Sequence, residues 1–404
     1  MFSRICLAAA LVLATSVGGP ATASPTMRVG LLSLGDALTS AEIGGTGRVE
    51  SAGGSWGFSG KVVVGAGPEG VTATLSPELQ VGGKSMRFSP ARAEAPLALG
   101  GRRYRGSLVL SSRAGGRLGI VNEVDLEDYV RGVVPNEMFR DQEAFRVQAV
   151  ASRTFALYVR DVERRHAGEG FDVCDRGCCQ VYRGYDSEEP LANQAVESTR
   201  GEVLLYRGRP ILAAYDANAG GQTCTVDEAW PGSVRDNFPY LKSVASPDDV
   251  AALKLPGFES CYQWQVSLTW EELLARLKLS HYEMGEPREP GPVTGASGRV
   301  VSLTIRGSRG VYRLAAPELI RRSLGLASAR FRVRLDGEGL CFSGSGHGHG
   351  VGLSQHGAYG MAKRGLGYRE ILAYYYRGVE LVEAHLAGES SRSPAGTFSM
   401  LPER

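Results

Sequence analysis

Short strand-like runs separated by glycine fill residues 25 to about 105. Examples are "MRVGLLS", "KVVVGAG", "VTATLS" and "RRYRGSLVLSS". Turn residues recur about every eight to twelve positions, a spacing typical of antiparallel strands. The pattern predicts an N-terminal β-rich region over residues 25–100.

A helical period replaces this pattern at about Asp141. Asp141 and Glu143 occupy the first turn and arginines follow in the last turns, the charge order that favours the helix dipole. Residues spaced three or four apart form one apolar or small face. They are Phe145, Ala149, Ser152, Ala156 and Val159. We predict a long, mostly buried helix that belongs to the core.

The remaining pattern mixes strands and helices without a regular βαβ alternation. It predicts a strand pair with Arg207 and Gly208 as its turn, a helix from about Trp270 to Leu279, and strands at "VVSLTI" and "RFRVRL" around a helix at "APELIRRSLG". A Pro/Gly-rich connector at 284–298 is either an internal loop or a subdomain boundary. We predict an α+β fold with glycine-rich antiparallel sheets and a few buried helices, in which residues 101–384 form the core and 385–404 a polar tail.

Charge and the N-terminus restrict the classes of function. The 404 residues carry a formal net charge of +2 with a pI near 8.1, and no strongly basic run indicates nucleic-acid binding. Residues 1–24 combine Arg4, an apolar run from Ile5 to Leu13 and a small-residue end at Ala21-Thr22-Ala23, which is typical of a secretory signal peptide. We therefore expect an exported protein, without a stable membrane span in the mature chain.

Six cysteines follow the signal segment. Three of them, Cys174, Cys178 and Cys179, lie close together near His166, and such a Cys3His set suits tetrahedral zinc. The alternative is a set of disulfides between this cluster and the scattered cysteines. The latter are Cys224, Cys261 and Cys341.

The glycine-rich stretch "GSGHGHGVG" does not have the G-x-G-x-x-G spacing of a dinucleotide site. If the segment is extended, His347 and His349 share a face and could both reach a metal. Alternatively, the glycines permit a close approach of the backbone, and the histidines form hydrogen bonds.

Glu137 is a single acidic residue in the apolar, turn-rich stretch "VVPNEMF", just before the predicted long helix. Two roles fit this position equally well. The carboxyl could perform acid–base chemistry, with apolar neighbours raising its pKa. It could also cap the nearby helix.

Several stretches together resemble the stage II sporulation protein D family, peptidoglycan lytic transglycosylases related to amidase-enhancer proteins. They include "VDLEDYVRGVVPNEM", "EAFRVQAVASRTFAL", "CCQVYRGY", "TRGEVLLYRGRPI", "YDANAGGQT" and "GHGVGLSQHGAYGMAKRG", and the series covers about residues 100 to 382 in order. Each motif is modest alone, whereas the ordered series is specific.

The resemblance implies that Glu137 is the single catalytic acid. In a lytic transglycosylase the carboxylic acid protonates the oxygen that leaves the N-acetylmuramic acid. The resulting carboxylate then helps the muramyl 6-hydroxyl attack its own anomeric carbon, which gives 1,6-anhydro ends. One carboxyl serves both steps, whereas most water-using glycosidases need two.

The resemblance also bears on the cysteine cluster and on the glycine-rich stretch. The family's "HCQVY" reads "CCQVY" here, so Cys178 stands at the histidine position, and thiolate can replace imidazole on zinc. His166, Cys174, Cys178 and Cys179 would then hold a closed, structural zinc. His349, Ser354 and Gln355 match the family's Gly-His-Gly-x-Gly-x-x-Gln stretch and could line the cleft, while His347 stands where the family often has tryptophan.

Four other residues are candidates for substrate binding, each with a structural alternative. Arg153 either reaches the cleft or pairs with a carboxylate inside the core. Gln180, Tyr182 and Tyr215 have the hydrogen-bonding and stacking character of sugar clefts, although buried tyrosines are also common in cores.

Three functions stay open at this point. The first is a lytic transglycosylase that acts on peptidoglycan glycan strands in the periplasm, in an intermembrane space or at the cell surface. The second is a non-catalytic wall-binding module that stimulates a separate amidase or another wall hydrolase. The third is a zinc-stabilised structural protein of the envelope.

Overall fold

A computed structural model describes residues 25–383 except residues 36, 234–236 and 338. The signal peptide and the tail that we predict from the sequence lie outside these residues. No helix in the described ranges is long and apolar enough to cross a membrane.

The first group of strands lies before residue 175. Its members are β1 (Thr26–Gly30), β2 (Ser40–Ser51), β3 (Gly54–Gly67), β4 (Gly70–Ser76), β5 (Leu79–Gly83), β6 (Ser85–Pro90), β7 (Leu97–Leu99), β8 (Arg102–Tyr104), β9 (Ser107–Arg113), β10 (Arg117–Asp125) and β11 (Val173–Cys174). Within the described residues they form one eleven-stranded sheet, antiparallel except for the pairing of β1 with β11. This sheet runs across residue 100, because β6 pairs with β9.

The later strands form smaller sheets. They are β12 (Glu202–Tyr206), β13 (Arg209–Pro210), β14 (Tyr215–Asp216), β15 (Gln263–Thr269), β16 (Pro287–Thr294), β17 (Val300–Gly307), β18 (Val311–Ala315), β19 (Phe331–Asp336), β20 (Gly339–Ser345), β21 (Leu353–Ser354) and β22 (Glu380–Glu383). The strand orders are β13-β12-β22, β14-β21, β15-β20-β19 and β16-β17-β18. The predicted turn at Arg207 and Gly208 is confirmed between β12 and β13.

The helices are mostly short. They are α1 (Leu126–Arg131), α2 (Val134–Glu137), α3 (Gln142–Tyr158), α4 (Pro190–Ser198), α5 (Val226–Ala229), α6 (Glu259–Tyr262), α7 (Trp270–Leu277), α8 (His281–Met284), α9 (Pro317–Leu324), α10 (Gln355–Lys363) and α11 (Tyr368–Tyr375). The mixture of separate sheets and helices confirms the predicted α+β class.

The long helix α3 begins where the sequence predicts. The Asp141 side chain accepts hydrogen bonds from the backbone N–H groups of Glu143 and Ala144, so Asp141 is its N-cap. The predicted apolar face is buried from Phe145 to Val159. The regular helix ends earlier than predicted, at Tyr158, because a π-helical turn follows over Val159–Glu163.

Two hydrophobic cores organise the described chain. The larger lies between the eleven-stranded sheet, α3 and the C-terminal helices. The smaller is formed by β15 and β17–β20 with α7 and α9, and its centre includes Leu273, Ile305 and Phe342. The predicted connector at 284–298 contains β16, which pairs with β17 in this second core.

Candidate active site

Glu137 is the last residue of α2, a single turn that contains Pro135 near its start. Its Oε1 accepts a hydrogen bond from the backbone N–H of Val181 at 2.6 Å. The side-chain amide of Gln355 donates to the backbone carbonyl of Glu137 and also reaches its Oε2, at 3.3 Å. These contacts hold the carboxyl at a junction between α2, the segment after the cysteine cluster and α10.

The alternative role of Glu137 as a helix cap does not fit this geometry. Asp141 caps α3, and the carboxyl of Glu137 faces Val181 and Gln355. Glu137 is partly buried, whereas Met138 beside it is 6 % exposed. The carboxyl therefore lies at the edge of the core, where a substrate could meet it.

A buried chain of polar side chains leads to this carboxyl. The hydroxyl of Tyr129 donates to Oε1 of Gln180 at 3.0 Å, and Nε2 of Gln180 donates to the hydroxyl of Tyr215 at 3.0 Å. The Tyr215 hydroxyl in turn forms a hydrogen bond with Glu137. Of the residues predicted to bind substrate, Gln180, Tyr215 and Gln355 thus meet around Glu137.

Burial raises the pKa of the Glu137 carboxyl above its ordinary range. The hydrogen bonds from Val181, Gln355 and Tyr215 oppose this change, since each stabilises the charged form. Burial therefore favours the protonated acid, and three donors are ready to stabilise the carboxylate once the proton leaves.

Pairing of β14 with β21 brings the parts of the site together. Tyr215 is in register with Leu353, and Asp216 with Ser354. Ser354 is fully buried and is the N-cap of α10, where its hydroxyl accepts from the N–H of Gly357 and donates to Asp249. Ser354 therefore fixes the start of α10, so that Gln355 reaches Glu137.

The glycine-rich stretch approaches other backbone closely, as one of the two alternatives from the sequence expects. Gly348 has a φ of +121°, and a Cβ there would clash with Asp216. The Nδ1 atom of His349 accepts from the N–H of Val351 at 2.9 Å and lies 3.9 Å from Oδ2 of Asp216. Burial lowers the pKa of His349 to about 4, so its imidazole is neutral.

The buried Asp216 belongs to the same loop system, although the sequence did not single it out. The backbone N–H of Gly350 donates to its Oδ2, while its Oδ1 has no hydrogen-bond partner among the residues that the structure describes. Burial raises the pKa of Asp216 to about 7, and the positive charge of Arg299 opposes the change. Asp216 therefore holds the glycine-rich stretch in place beside the site.

Two candidates lie in the core and do not contact Glu137. Arg153 has 0 % exposure, and its guanidinium forms a two-pronged ion pair with Glu127 at 2.8 and 2.6 Å. This is the core alternative expected from the sequence, and it corrects the placement of Arg153 among cleft residues. Tyr182 is also in the core, since it is 1 % exposed and its hydroxyl donates to Asn122 at 2.7 Å.

The four residues predicted to bind a metal lie close together in the structure. The donor atoms of His166, Cys174, Cys178 and Cys179 all lie within 4.8 Å of one another, and no other set of three or more metal-binding side chains does so in the described ranges. Nε2 of His166 faces the Cys179 sulfur at 3.4 Å, while its Nδ1 contacts Glu169 at 2.6 Å. A carboxylate behind the imidazole is the usual support of a metal-bound histidine, so these side chains fit zinc.

A disulfide between Cys174 and Cys178 occupies two of the four sulfur and nitrogen donors in this structure. Zinc binding and this disulfide exclude each other, because the metal needs both thiolates. Cys224, Cys261 and Cys341 are free, so the alternative of bridges from the cluster to these cysteines is not found in the described part of the chain.

The cysteine cluster and Glu137 are adjacent through one short segment. Cys179 is followed by Gln180 and then by Val181, whose N–H holds the Glu137 carboxyl. A metal or a disulfide at the cluster therefore constrains the backbone donor of the site. The sequence could not reveal this donor, because a backbone N–H carries no side-chain signature.

Two regions of the chain match described protein families. Residues 114–206 match a family described as "Stage II sporulation protein", and residues 234–352 match a domain of unknown function. The second match covers all the residues of the second hydrophobic core.

Relatives also align over much of the chain. An uncharacterized protein of Brachyspira hyodysenteriae is 34% identical over 292 residues, which are 70% of this chain and 74% of that protein. Stage II sporulation protein D of Bacillus subtilis is 32% identical over 281 residues, which are 65% and 76% of the two chains. An amidase enhancer of Bacillus subtilis is 31% identical over 299 residues, which are 62% of this chain and 40% of that protein.

Proposed function

Because the chain belongs to the stage II sporulation protein D family, we propose that it is an exported lytic transglycosylase of peptidoglycan. The family connects the chain with the cell wall, and the reaction is our proposal. Its substrate would be the glycan strand, cleaved between N-acetylmuramic acid and N-acetylglucosamine. Other wall hydrolases or amidases would be its partners.

Glu137 carries this proposal. Its raised pKa supports the first step, in which the protonated carboxyl gives its proton to the leaving glycosidic oxygen. The carboxylate that results accepts hydrogen bonds from Val181, Gln355 and Tyr215. In the second step it takes the proton of the muramyl 6-hydroxyl as that oxygen closes on its own anomeric carbon. The carboxyl is then protonated again, as it was at the start.

Products from purified glycan strands test the reaction directly. We expect the unmodified protein to release fragments that end in 1,6-anhydromuramic acid, measured by mass spectrometry, and the Glu137→Gln variant to release none. Glu78→Gln, an exposed site in the turn between β4 and β5, serves as the control and should retain full activity. Reducing ends instead of anhydro ends would contradict the mechanism, because they require attack by water.

Similarity to an amidase enhancer supports a second candidate function, a wall-binding module that stimulates another enzyme. The same preparations separate the two candidates. Stimulation of an amidase that survives Glu137→Gln, with no glycan product from either protein, would favour the enhancer.

We also propose that the reduced protein binds one structural zinc ion through His166, Cys174, Cys178 and Cys179. Zinc would supply a closed tetrahedral crosslink that fixes the segment leading to Val181. Metal analysis of the reduced protein should find one zinc per chain, and Cys178→Ser should lose it while Cys261→Ser, outside the cluster, keeps it. Zinc retained at full occupancy by Cys178→Ser would contradict this ligand set.

A further inference from the structure

A cluster of aromatic rings lies immediately beside Glu137. Phe139 has its ring centroid 4.4 Å from that of His356, 5.0 Å from Phe258 and 5.5 Å from Tyr359. We call these four residues the aromatic cluster. Phe258 lies within the second family match, and the motifs that carry the resemblance to the family do not include it.

The aromatic cluster is continuous with the carboxyl because two elements run side by side. Gln355 and Tyr359 are four residues apart on α10 and therefore share a face. Gln355 contacts Glu137, and Tyr359 contacts Phe139, two residues further along the chain. Met138 between them is extended and buried, so Glu137 and Phe139 both remain partly accessible on the outer side.

Phe258 is the exposed member of the aromatic cluster. Its side chain is 41% exposed, although the ring packs edge-on against Phe139. The segment that carries it is firmly attached to α10 and the site. Arg364 of that helix region donates to Asp248 at 2.8 Å, and Asn218 donates to the backbone carbonyl of Asp249 at 3.0 Å. The ring of Phe258 itself packs against Phe139 and His356, which places it beside Glu137.

A polar atom lies within the same cluster. His356 has 0 % exposure, its Nδ1 side contacts the carbonyl of Ala217, and its Nε2 has no hydrogen-bond partner among the described residues. Burial lowers the pKa of His356, so the ring is a neutral hydrogen-bonding group between two phenylalanines. His356 therefore supports the rings of Phe139 and Phe258 from the core side.

We propose that the aromatic cluster is a saccharide subsite, in which the ring of Phe258 packs against the apolar C–H face of a sugar in the same glycan strand that reaches Glu137. This inference rests on the proposed function for the identity of the strand. The aromatic cluster is continuous with the Glu137 carboxyl, and a glycan strand cleaved there has further sugars on either side of the cleaved bond, which favours a glycan over a protein partner.

Glycan affinity measured without turnover tests the subsite. In the Glu137→Gln background, we expect Phe258→Ala to weaken the binding of a peptide-free octasaccharide of alternating N-acetylglucosamine and N-acetylmuramic acid about tenfold, by calorimetry. Phe258→Trp should retain the affinity, since it keeps an aromatic face. Leu253→Ala is the matched control, because Leu253 lies on the same segment with 43% exposure and is not part of the aromatic cluster.

The outcomes separate this inference from the proposed function. Unchanged affinity in Phe258→Ala, with an unchanged melting temperature, would overturn the subsite even if the unmodified protein cleaves glycan. Equal losses in Phe258→Ala and Leu253→Ala would also overturn it. Weaker binding in Phe258→Ala alone would support it, including the case in which no cleavage occurs and the proposed reaction fails. An effect on amidase stimulation without one on glycan binding would assign the ring to a protein partner and overturn the subsite.

Discussion

At the scale of single residues, the balance at Glu137 is between burial and hydrogen bonding. Burial favours the neutral acid, whereas Val181, Gln355 and Tyr215 favour the carboxylate, and burial has the larger effect on the pKa. A group balanced in this way can give up a proton and take one back within a single reaction. The environment therefore suits one carboxyl that acts twice.

This balance predicts the pH dependence of activity. The first step of the proposed reaction needs protonated Glu137, so kcat should fall as the pH rises through the raised pKa, which lies above the ordinary glutamate value of about 4.3. Initial rates of glycan cleavage from pH 4 to pH 9 measure this limb. A rate that keeps rising with pH across the range would contradict the role of Glu137 as an acid.

The free energy of unfolding should depend on pH through the same carboxyl, and the direction of this dependence can be stated. Because the folded pKa is raised, ionisation of Glu137 opposes folding, and stability is lost as the pH rises through the folded pKa. Glu137→Gln should match the unmodified protein at pH 4 and be more stable than it at pH 8, because the amide has no charge to bury. Urea unfolding at both values measures this difference, with Glu78→Gln as the control. A variant that is less stable at pH 8 would contradict the raised pKa.

Gln355 offers a second test at this scale. Its amide lowers the pKa of Glu137 and satisfies the Glu137 carbonyl. Gln355→Met keeps the size but removes the donor, so we expect the alkaline limb of the pH profile to move upward and kcat to fall about tenfold or more. The exposed Gln265→Met is the control. A limb that moves downward would show that Gln355 does not stabilise the carboxylate.

At the scale of secondary structure, α3 carries a buried ion pair that connects it to α1. Arg153 and Glu127 are 0 % and 1 % exposed, and Arg153 also donates to the carbonyl of Glu202 at 2.9 Å. The pair therefore joins α1, α3 and β12. Glu127 accepts a further hydrogen bond from the N–H of Gly201, which leaves little of either charged group uncompensated.

Removing one member of this pair should be costly. Arg153→Met leaves the Glu127 carboxylate buried without its guanidinium, and we expect a loss of about 3–5 kcal/mol in the free energy of unfolding. Arg146→Met removes a surface pair with Glu143 on the same helix and should cost less than about 1 kcal/mol. Denaturant titration of both variants measures these two losses in the free energy of unfolding. Adding Glu127→Gln to Arg153→Met should recover part of the loss, and no recovery would contradict this explanation.

The elements that the sequence predicts well are those with local signals. Asp141 marks the start of α3 through its capping side chain, and Arg207 with Gly208 marks a hairpin turn. By contrast, β14 and β21 are two residues long and pair in parallel from distant parts of the chain, so no local pattern indicates them. That pairing is what aligns Tyr215 with Gln355.

The same distinction applies to the site. The sequence motifs predict a site that includes Glu137, Gln180, Tyr215 and Gln355. In the structure, hydrogen bonds connect these four side chains. Arg153 does not join this group, because its side chain pairs with Glu127 in the core. The sequence alone does not show which charged partner a buried arginine meets. Phe258 was not identified, since a single aromatic residue has no meaning until the fold places it beside Phe139.

At the scale of the whole molecule, Arg299 joins the second hydrophobic core to the glycine-rich stretch. It is 1 % exposed, and its guanidinium donates to the carbonyls of Gln222 and Ala219, each at 2.8 Å. A Cβ on Gly350 would clash with this guanidinium. The region that matches the domain of unknown function thus contributes a buried cation beside the loop that precedes α10.

Loss of this connection should separate the unfolding of the two cores. Arg299→Met leaves buried carbonyls without their donor at the boundary, which costs about 1–3 kcal/mol for each unsatisfied group. We expect calorimetry to show one transition for the unmodified protein and two for the variant, the earlier from the core around Leu273 and Phe342. Arg332→Met is the control, because Arg332 is exposed on β19, a strand of the same core. This variant should keep one transition. A single, unshifted transition in Arg299→Met would contradict the coupling, since a buried guanidinium that joins the cores cannot be removed without weakening their contact.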